Sequence, residues 1–300
     1  MIEDVVERFT QVFRGRGDAY GSWNGGCIKQ PLTRRQFEQH LGNGPHIGVY
    51  PLITDKVSWG CIDIDGKDFD RDWDTMFTLA RNLTTMLRVK KVYAHTERTS
   101  NGYHLWIFPD APLVPASHMR RALMAACKAI GYDPKEVNPK QEKAVGVGNY
   151  VRLPYYGAIT NGTPPDRHFV DTEGTPIDLV EALGIIENSR THPDDLAHLA
   201  TLWQPPPRSQ TVNTTYTEVD TSWLTGREFV CWRDGPAEGY DRSGTLVRLA
   251  RLMLERGVEP DQVFPILKSA DQRWGKFYER PDCDEQLVAI IERMASKIHA

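Results

Sequence analysis

Cysteine is scarce in this 300-residue sequence, which contains five widely spaced cysteines: Cys27, Cys61, Cys127, Cys231 and Cys283. No Cys-x-x-Cys pair occurs, which argues against a disulfide framework and against a structural zinc site. The sequence also lacks a hydrophobic run long enough to cross a membrane, and its first residues do not form a signal-peptide pattern. We therefore expect a cytoplasmic protein without a membrane anchor.

An excess of basic residues is absent as well. The 36 Lys and Arg residues are outnumbered by 40 Asp and Glu residues, which gives a formal net charge of −4. This balance excludes a protein that coats DNA nonspecifically, although paired basic residues such as Arg34-Arg35 and Arg120-Arg121 can act locally. With 40% apolar and 25% charged residues, the chain is globular and long enough for two domains.

Two short segments carry the strongest chemical signal. Residues 61–65, Cys-Ile-Asp-Ile-Asp, predict a strand on which Asp63 and Asp65 point to one side and the isoleucines to the other. Two carboxylates at this spacing suit Mg²⁺ or Mn²⁺, because hard cations prefer oxygen ligands. Residues 100–106, Ser-Asn-Gly-Tyr-His-Leu-Trp, predict a tight turn leading into a strand that carries His104, a group able to hold a phosphate.

The order of the predicted elements places these segments together. Apolar periodicity and turn residues predict strand 57–65, helix 71–88, strand 90–97, strand 103–109, helix 115–131, and strand pieces at 134–137 and 149–155. This is the βαββαβ order of an RRM/ferredoxin-like α+β core. In that topology the first and third strands are neighbours, so Asp63, Asp65 and His104 would share an open face of the sheet. Trp59 and Trp106 are expected on the same face as candidates for stacking a base or the template.

Three separated motifs resemble those of the archaeo-eukaryotic primase superfamily. They are Asp63-x-Asp65, Ser100-x-Gly102-x-His104, and residues 148–154, Gly-Asn-Tyr-Val-Arg-Leu-Pro. The sequence is most similar to primase-polymerases of phages, plasmids and related mobile elements, over residues 10–171. Flanking segments 13–20, 47–52 and 136–141 resemble the same group, and several motifs in the same order make the resemblance specific.

The resemblance implies a role for each motif residue. Asp63, Asp65 and a third carboxylate would bind the catalytic Mg²⁺ or Mn²⁺; Glu136 is the choice for the third ligand, with Asp133 and Asp171 as alternatives. His104 would serve catalysis by holding the phosphates of the nucleotide. The other nucleotide-binding candidates are Ser100, Asn101, Gly102, Lys140, Asn149 and Arg152. The sequence departs from the family at Asn138, where a Phe is expected before Pro139.

Further segments complete the predicted organisation. The sequence predicts a catalytic domain over residues 1–204, a Pro- and Thr-rich linker over 205–220, and a small all-α domain over 221–300. Within the first domain, a capping box at Thr33 predicts a helix to Leu41, residues 47–53 predict a strand near the catalytic sheet, and 177–187 and 193–203 predict helices. Helices are expected at 243–256, 260–271 and 284–299. This last segment resembles domains that initiate synthesis and join a helicase.

These features predict a DNA primase-polymerase. Such a nucleotidyltransferase would make or extend primers on a single-stranded DNA template from NTPs or dNTPs, release pyrophosphate, and work with a helicase. The alternative is a non-catalytic, RRM-like nucleic-acid-binding module of a replication protein, in which Trp59, Trp106 and Phe108 would stack bases. A glycosyltransferase would need a nucleotide-binding α/β domain, and a replication-initiator endonuclease would need a His-x-His pair that His95 and His104 do not form.

Overall fold

A computed structural model describes the chain over residues 2–143, 147–164, 166–203, 219–236, 241–274, 277–278, 280 and 282–298. The chain divides into two compact units, Met1–Pro205 and Pro206–Ala300. The predicted linker, 205–220, lies outside the described residues except for Val219 and Asp220. Across these ranges, none of the helices combines the length and the apolar character that crossing a bilayer requires.

The first unit mixes helices with short strands, which confirms the predicted α+β class. Its helices are α1 (Ile2–Val12), α2 (Arg34–Leu41), α3 (Trp73–Val89), α4 (Ala116–Ala129), α5 (Ala158–Asn161), α6 (Leu179–Asn188) and α7 (Pro193–Ala200). Its strands are β1 (Tyr20–Ser22), β2 (Cys27–Ile28), β3 (Ile47–Val49), β4 (Leu52–Ile53), β5 (Lys56–Val57), β6 (Gly60–Asp65), β7 (Ala94–Arg98), β8 (Gly102–Ile107), β9 (Val114–Pro115), β10 (Glu136–Asn138), β11 (Val151–Arg152) and β12 (His168–Phe169).

A five-stranded antiparallel sheet forms the centre of this unit, in the order β10-β6-β8-β7-β12. The strands β6 and β8 pair from Gly60 opposite Ile107 to Asp65 opposite Gly102. The turn between β7 and β8 closes where the Thr99 N–H donates to the Gly102 carbonyl over 2.8 Å. A Cβ atom on Gly102 would overlap the Ile64 carbonyl oxygen. Glycine therefore lets this turn lie directly against β6.

Local signals explain where the flanking helices begin. The helix α3 starts after Asp72, whose carboxylate accepts hydrogen bonds from the backbone N–H groups of Asp74 and Thr75. The helix α2 starts with the predicted capping box of Thr33 and Gln36. Both helices thus begin where a side chain satisfies backbone groups that the first helical turn leaves unpaired.

Two hydrophobic cores lie on opposite faces of the five-stranded sheet. One core packs the sheet against α3, α4 and α7 through aliphatic residues such as Ile62, Leu105 and Leu123. The other contains Trp59, Trp106 and Phe108, each with 0% exposure, together with residues of α1, α2 and α6. Both tryptophans lie on this second face, as the alternation predicts, but they are buried there, so the prediction that the face is open around them was wrong. Large aromatic rings gain most from burial, so the remaining segments of the unit pack over them.

Two smaller sheets also depart from the prediction. The strand β11 pairs with β3 in a separate four-stranded sheet, β11-β3-β1-β2, instead of joining the central one. The predicted strand 47–53 is divided between β3 and β4, and β4 belongs to a third sheet, β4-β5-β9. Pro51 lies between them and lacks the N–H group that would continue a ladder.

In its described residues, the second unit holds four helices: α8 (Gly226–Asp234), α9 (Arg242–Glu255), α10 (Pro260–Trp274) and α11 (Cys283–Ile298). The last three lie at the predicted positions, whereas α8 was not predicted. Their apolar faces meet in a core that includes Leu249, Phe264 and Ile291. Buried Asp271 of α10 accepts the backbone N–H of Phe277 at 3.0 Å.

Candidate active site

Four polar residues form one row across four neighbouring strands. Glu136 of β10 lies opposite Asp63 of β6, Asp63 lies opposite His104 of β8, and His104 lies opposite Glu97 of β7. Directly opposed residues of paired strands project to the same face, so these four side chains are aligned by backbone register. Asp65 is two residues from Asp63 and shares its face. The register therefore brings the two motif acids, the motif histidine and Glu136 together.

The histidine is held between two carboxylates. The Nδ1 atom of His104 lies 2.8 Å from Glu97 Oε2, and its Nε2 atom lies 3.7 Å from Asp63 Oδ1. Burial lowers the pKa of His104, but the charge and hydrogen bond of Glu97, together with the charge of Asp63, outweigh burial and raise it above 6.5. The imidazole ring is thus biased towards its cationic form at the floor of the site.

Glu97 is a buried carboxylate that sequence reasoning missed. It has 0% exposure and accepts the Trp106 Nε1–H at 2.6 Å beside its contact with His104. A signal for it was present, because the predicted turn over residues 99–102 sets a hairpin register in which Glu97 faces His104. The same face carries Trp106, whose ring donor helps to satisfy this buried charge.

Arg167 was missed as well. Its Nη1 atom lies 3.6 Å from Glu97 Oε1, and the side chain is buried, with no hydrogen-bond partner for Nη1 among the described residues. Its backbone has a φ of 56° and accepts the Tyr155 N–H at 2.6 Å. No pattern in the sequence pointed to Arg167, because it lies in an irregular segment more than sixty residues after His104.

A cleft of about 550 Å³ opens above this row. Its floor includes Asp63, His104 and Glu136, and its other walls come from both ends of the smaller β11-β3-β1-β2 sheet and from Arg167. The lining residues outside the row are Gly25, Cys27, Tyr50, Asn138, Val147, Gly148, Asn149, Tyr150, Val151, Arg152 and Arg167. The cleft therefore joins an acidic end to a cationic end.

Close glycine contacts hold the wall that carries Arg152. The ring of Tyr150 lies against Gly21 and Gly48, where a Cβ atom on either glycine would overlap it. The Tyr150 hydroxyl donates to the Ser22 carbonyl at 3.0 Å. The motif run from Gly148 to Arg152 lies along the cleft, and two of the proposed nucleotide-binding residues, Asn149 and Arg152, are among those that line it.

The acidic end has the chemistry of a cation site. Burial raises the pKa of the Asp63 carboxyl group, and the charges of Glu136 and Asp65 raise it further, while His104 lowers it. Oxygen ligands with surplus negative charge suit Mg²⁺ or Mn²⁺. The residues present therefore fit a divalent metal in charge, in ligand type and in backbone position.

Two of these acidic side chains, Glu136 and Asp65, bind other groups of the protein in this structure. Lys140 Nζ lies 2.7 Å from Glu136 Oε2, and Asp65 Oδ1 accepts the Lys67 N–H at 3.2 Å. Within the part of the chain that the structure describes, no three His, Cys, Asp or Glu side chains converge into a preformed metal-binding group. In this arrangement the charge of Glu136 is paired with Lys140.

The remaining predicted residues lie beside the cleft or away from it. Ser100 and Asn101 are exposed in the β7–β8 turn, next to Gly102, and none of the three lines the cleft. Asp171 follows β12, at the sheet edge opposite β10, and its carboxylate accepts backbone N–H groups of its own turn. Glu136, paired directly with Asp63, is thus better placed as third carboxylate than Asp171, and Asp133 lies outside the strand.

Comparisons with known proteins agree with the motifs. The family model of the archaeo-eukaryotic primase domain of TOTE conflict systems matches residues 27–192. No curated protein matches the sequence. The solved structures that are similar include primase RepB', at 13% identity and a TM-score of 0.29 over 100% of this chain and 99% of that one. The catalytic domain of primase RepB' in complex with initiator DNA is similar at 13% identity and a TM-score of 0.30, over 62% of this chain and 95% of that one.

At these TM-scores the likeness to solved structures supports no statement about the site. The family match spans more than half of the chain and contains Asp63-x-Asp65, His104, Glu136 and Arg152. The resemblance inferred from the three motifs is confirmed, and this chain belongs to the archaeo-eukaryotic primase family.

Proposed function

We propose that this chain is a DNA primase-polymerase that transfers nucleotides to a growing primer on a single-stranded DNA template. The observation that carries the proposal is the single row Glu136–Asp63–His104 on the floor of one cleft, with Arg152 and Arg167 on its walls. An acidic end next to a cationic end is what a nucleoside triphosphate and its counter-ion require. Membership of the primase family supports the same activity.

The acidic end provides the ligands for the metal. Asp63, Asp65 and Glu136 would hold Mg²⁺ or Mn²⁺ by their carboxylate oxygens, and Lys140 would be released from Glu136 as they do so. A bound divalent ion supplies charge stabilisation to the attacking and leaving oxygens of phosphoryl transfer. In the transfer itself, the primer 3′ hydroxyl loses its proton to solvent, its oxygen forms a bond to the α-phosphorus, and the bond from that phosphorus to the departing pyrophosphate breaks.

The cationic end would position the triphosphate. Protonated His104 donates from Nε2, because Glu97 holds the other ring nitrogen, while Arg152 and Arg167 offer planar guanidinium groups. Arg167 is suited to this role because its Nη1 is buried without a hydrogen-bond partner in the described structure. Asn149 would orient the sugar or a phosphate from the cleft wall, and Lys140, once freed, would add a point charge.

We assign this chemistry to the first unit, with an RRM-like βαββαβ core at its centre. The helical residues 221–300 would then form a separate C-terminal domain that supports initiation or joins a helicase. The incoming substrates are NTPs, dNTPs or both. The rival interpretation, a non-catalytic binding module, needed Trp59, Trp106 and Phe108 as exposed stacking surfaces, and all three are buried.

Primer synthesis on single-stranded DNA tests the proposal directly. The full chain is incubated with template, labelled NTPs or dNTPs and Mg²⁺ or Mn²⁺, with and without a primer. We expect labelled product to fall at least ~100-fold in the double variant Asp63→Asn/Asp65→Asn, because the metal loses its ligands. Asp70→Asn is the matched control, since Asp70 is exposed in the loop after β6.

The unprimed reaction decides whether the chain starts primers or only extends them. Product that persists in the double variant would contradict the assignment of both aspartates. No product from the wild-type chain under any of these conditions would contradict the polymerase function.

A further inference from the structure

Three aromatic rings are stacked outside the cleft. The ring of Trp23 lies 5.0 Å from that of His46 at an interplanar angle of 28°, and His46 lies 5.2 Å from Tyr156 at 22°. We call this group the Trp23–His46–Tyr156 stack. Its outer members are exposed, Trp23 by 58% and Tyr156 by 37%, whereas His46 is buried. Neither outer ring belongs to a hydrophobic core of the unit.

Backbone contacts hold the stack in place. The His46 Nε2 atom lies 3.1 Å from the Leu153 carbonyl oxygen, and His40, whose ring is 5.0 Å from that of His46, bonds the Pro154 carbonyl at 2.8 Å. Burial is the main reason that the pKa of His46 is lowered, to about 4. The central ring, His46, is therefore neutral at physiological pH. The two exposed rings stack on it, although neither Trp23 nor Tyr156 contributes to a hydrophobic core.

The groove beside Trp23 is lined by groups that suit nucleic-acid bases. It has a volume of about 330 Å³, and its lining residues include Asn24, Gln39 and Gln36, the last of which also caps α2. None of its described lining residues is acidic, although the whole chain carries a net charge of −4. Asparagine and glutamine amides pair with the donor and acceptor edges of bases, and aromatic rings stack on their faces.

The stack is continuous with the cleft through Arg152. The guanidinium carbon of Arg152 lies 4.9 Å from the Trp23 ring, and Arg152 Nη2 donates to the Trp23 carbonyl at 3.0 Å. Arg152 also lines the cleft, and Tyr156 follows it by four residues in the chain. A single strand of DNA lying on the stack would thus reach the cleft at Arg152, which contacts Trp23 and also lines the cleft.

From these observations we infer that the Trp23–His46–Tyr156 stack binds unpaired bases of the single-stranded DNA template where it approaches the cleft. The inference rests on the proposed function and specifies where that function takes its template. Sequence reasoning had chosen Trp59 and Trp106 for stacking, and the fold places Trp23 and Tyr156 at the surface instead. Stacking of this kind is tolerant of sequence, because every base has a flat face.

Equilibrium binding of a fluorescent oligothymidylate to the full chain, without nucleotide, tests the inference. We expect Trp23→Ala and Tyr156→Ala each to weaken binding by about 5- to 100-fold, as for loss of one stacked base. Trp23→Phe keeps a ring and should recover most of the affinity. Tyr93→Ala is the matched control, because Tyr93 is exposed to the same 37% as Tyr156 and lies outside the stack. Circular dichroism confirms that each variant is folded.

Salt dependence distinguishes stacking from a loss of charge. Removing a ring should leave the slope of affinity against salt concentration unchanged, whereas Arg152→Gln should reduce that slope by about one. Affinity for dNTP, measured in parallel, should stay near the wild-type value in Tyr156→Ala, because Tyr156 is not among the residues that line the cleft. Wild-type affinity in both alanine variants, an equal loss in Tyr93→Ala, or an equal loss of duplex binding would each overturn the inference.

The outcome is separable from that of the proposed function. Template binding that depends on both rings, in a chain that makes no primer, would support the stack and reject the polymerase. Primer synthesis that requires Asp63, together with unchanged template binding in Trp23→Ala and Tyr156→Ala, would support the polymerase and reject the stack.

Discussion

The two faces of the five-stranded sheet are formed by the same strands but bury opposite kinds of residue. Beneath α3 and α4, the sheet presents Ile62, Ile64 and Leu105 to an aliphatic core. On the other face, the alternate residues include Asp63, His104 and Trp106, next to a core rich in aromatic rings. We refer to these as the aliphatic face and the polar face.

The comparison shows that one sheet combines a face of aliphatic side chains with a face that buries charged ones. Aliphatic side chains have no polar atoms to satisfy, so Ile62, Ile64 and Leu105 can be buried without hydrogen-bond partners for their side chains. The polar face buries Glu97 completely, and this is tolerable because Trp106 and His104 meet one of its oxygens and Arg167 lies near the other. Substitutions on each face, and titration of the buried histidines, test this contrast.

Truncating the aliphatic face should cost stability and leave the chemistry intact. Ile64 has 0% exposure, so Ile64→Ala should lower the unfolding free energy by about 2–5 kcal/mol through lost burial and a residual cavity. Urea unfolding followed by circular dichroism measures this. Primer synthesis per folded molecule should stay close to wild type, since Ile64 points away from Asp63 and Asp65.

Ile185→Ala provides the control for Ile64→Ala. Ile185 is 39% exposed, and its truncation should change the unfolding free energy by less than about 0.5 kcal/mol. Equal costs for the two isoleucines would show that the aliphatic face does not dominate the stability of the unit.

Neutralising the buried carboxylate of the polar face should change both stability and pH dependence. Glu97→Gln removes the charge that pairs with Arg167 and leaves His104 with Asp63 as its charge partner, with an expected loss of about 1–3 kcal/mol in unfolding free energy. The pKa of His104 should fall, because the charge of Glu97 is the largest influence that raises it. If protonated His104 holds phosphate, the high-pH limb of primer synthesis should move to lower pH in this variant.

The matched control for Glu97→Gln is a surface ion pair. Glu142 Oε1 lies 2.8 Å from Arg121 Nε, with both side chains about one-third exposed or more. Glu142→Gln should cost only ~0–1 kcal/mol and leave the pH profile unchanged. An unaltered pH profile in Glu97→Gln would mean that His104 does not act through its charge.

The buried histidines His40, His46, His95 and His104 should give the unfolding free energy a maximum near pH 6.5. Burial is the main reason that the pKa is lowered to about 3 for His40 and to about 4 for His46 and His95. The unfolded chain binds more protons than the folded one below pH 6.5, so stability should fall by roughly 1.4 kcal/mol per pH unit for each histidine. His104 has the opposite sign, because its stabilisation is complete below pH 6.5 and is lost as the pH rises through its raised pKa.

Urea unfolding between pH 5 and pH 8 measures this maximum. His40→Gln should reduce the acid-side slope by about one proton, and His104→Gln should flatten the alkaline side. A slope in His40→Gln equal to that of the wild type would show that His40 is not kept neutral by the fold.

Much of the central sheet and part of the site could be predicted from the sequence. Alternation fixed the faces of Asp63 and His104, since side chains of a strand point to opposite sides in turn. The turn at Thr99–Gly102 and the helix begun by Thr33 follow from turn and capping residues that act over four positions. The three motifs also identified the family, because their residues and order are specific.

The parts that could not be predicted depend on contacts between distant segments. Trp59 and Trp106 have the same alternation pattern whether their face is open or covered, so only the packing of α1, α2 and α6 could show that they are buried. The exposed position of Trp23 is similarly invisible in its local sequence. Burial is a property of the whole fold, whereas periodicity describes one element at a time.

By itself, the sequence determined the two strands that carry Asp63, Asp65 and His104 and the faces on which these side chains lie, because both follow from periodicity and short-range turn chemistry. Only the tertiary structure decided that Glu97 supports His104, that Arg167 reaches the cleft, and that β11 joins a second sheet and carries Arg152 to its wall. Each of these depends on strand register or on the meeting of segments far apart in the chain. Such contacts are selected by the packing of the entire unit, which no local pattern encodes.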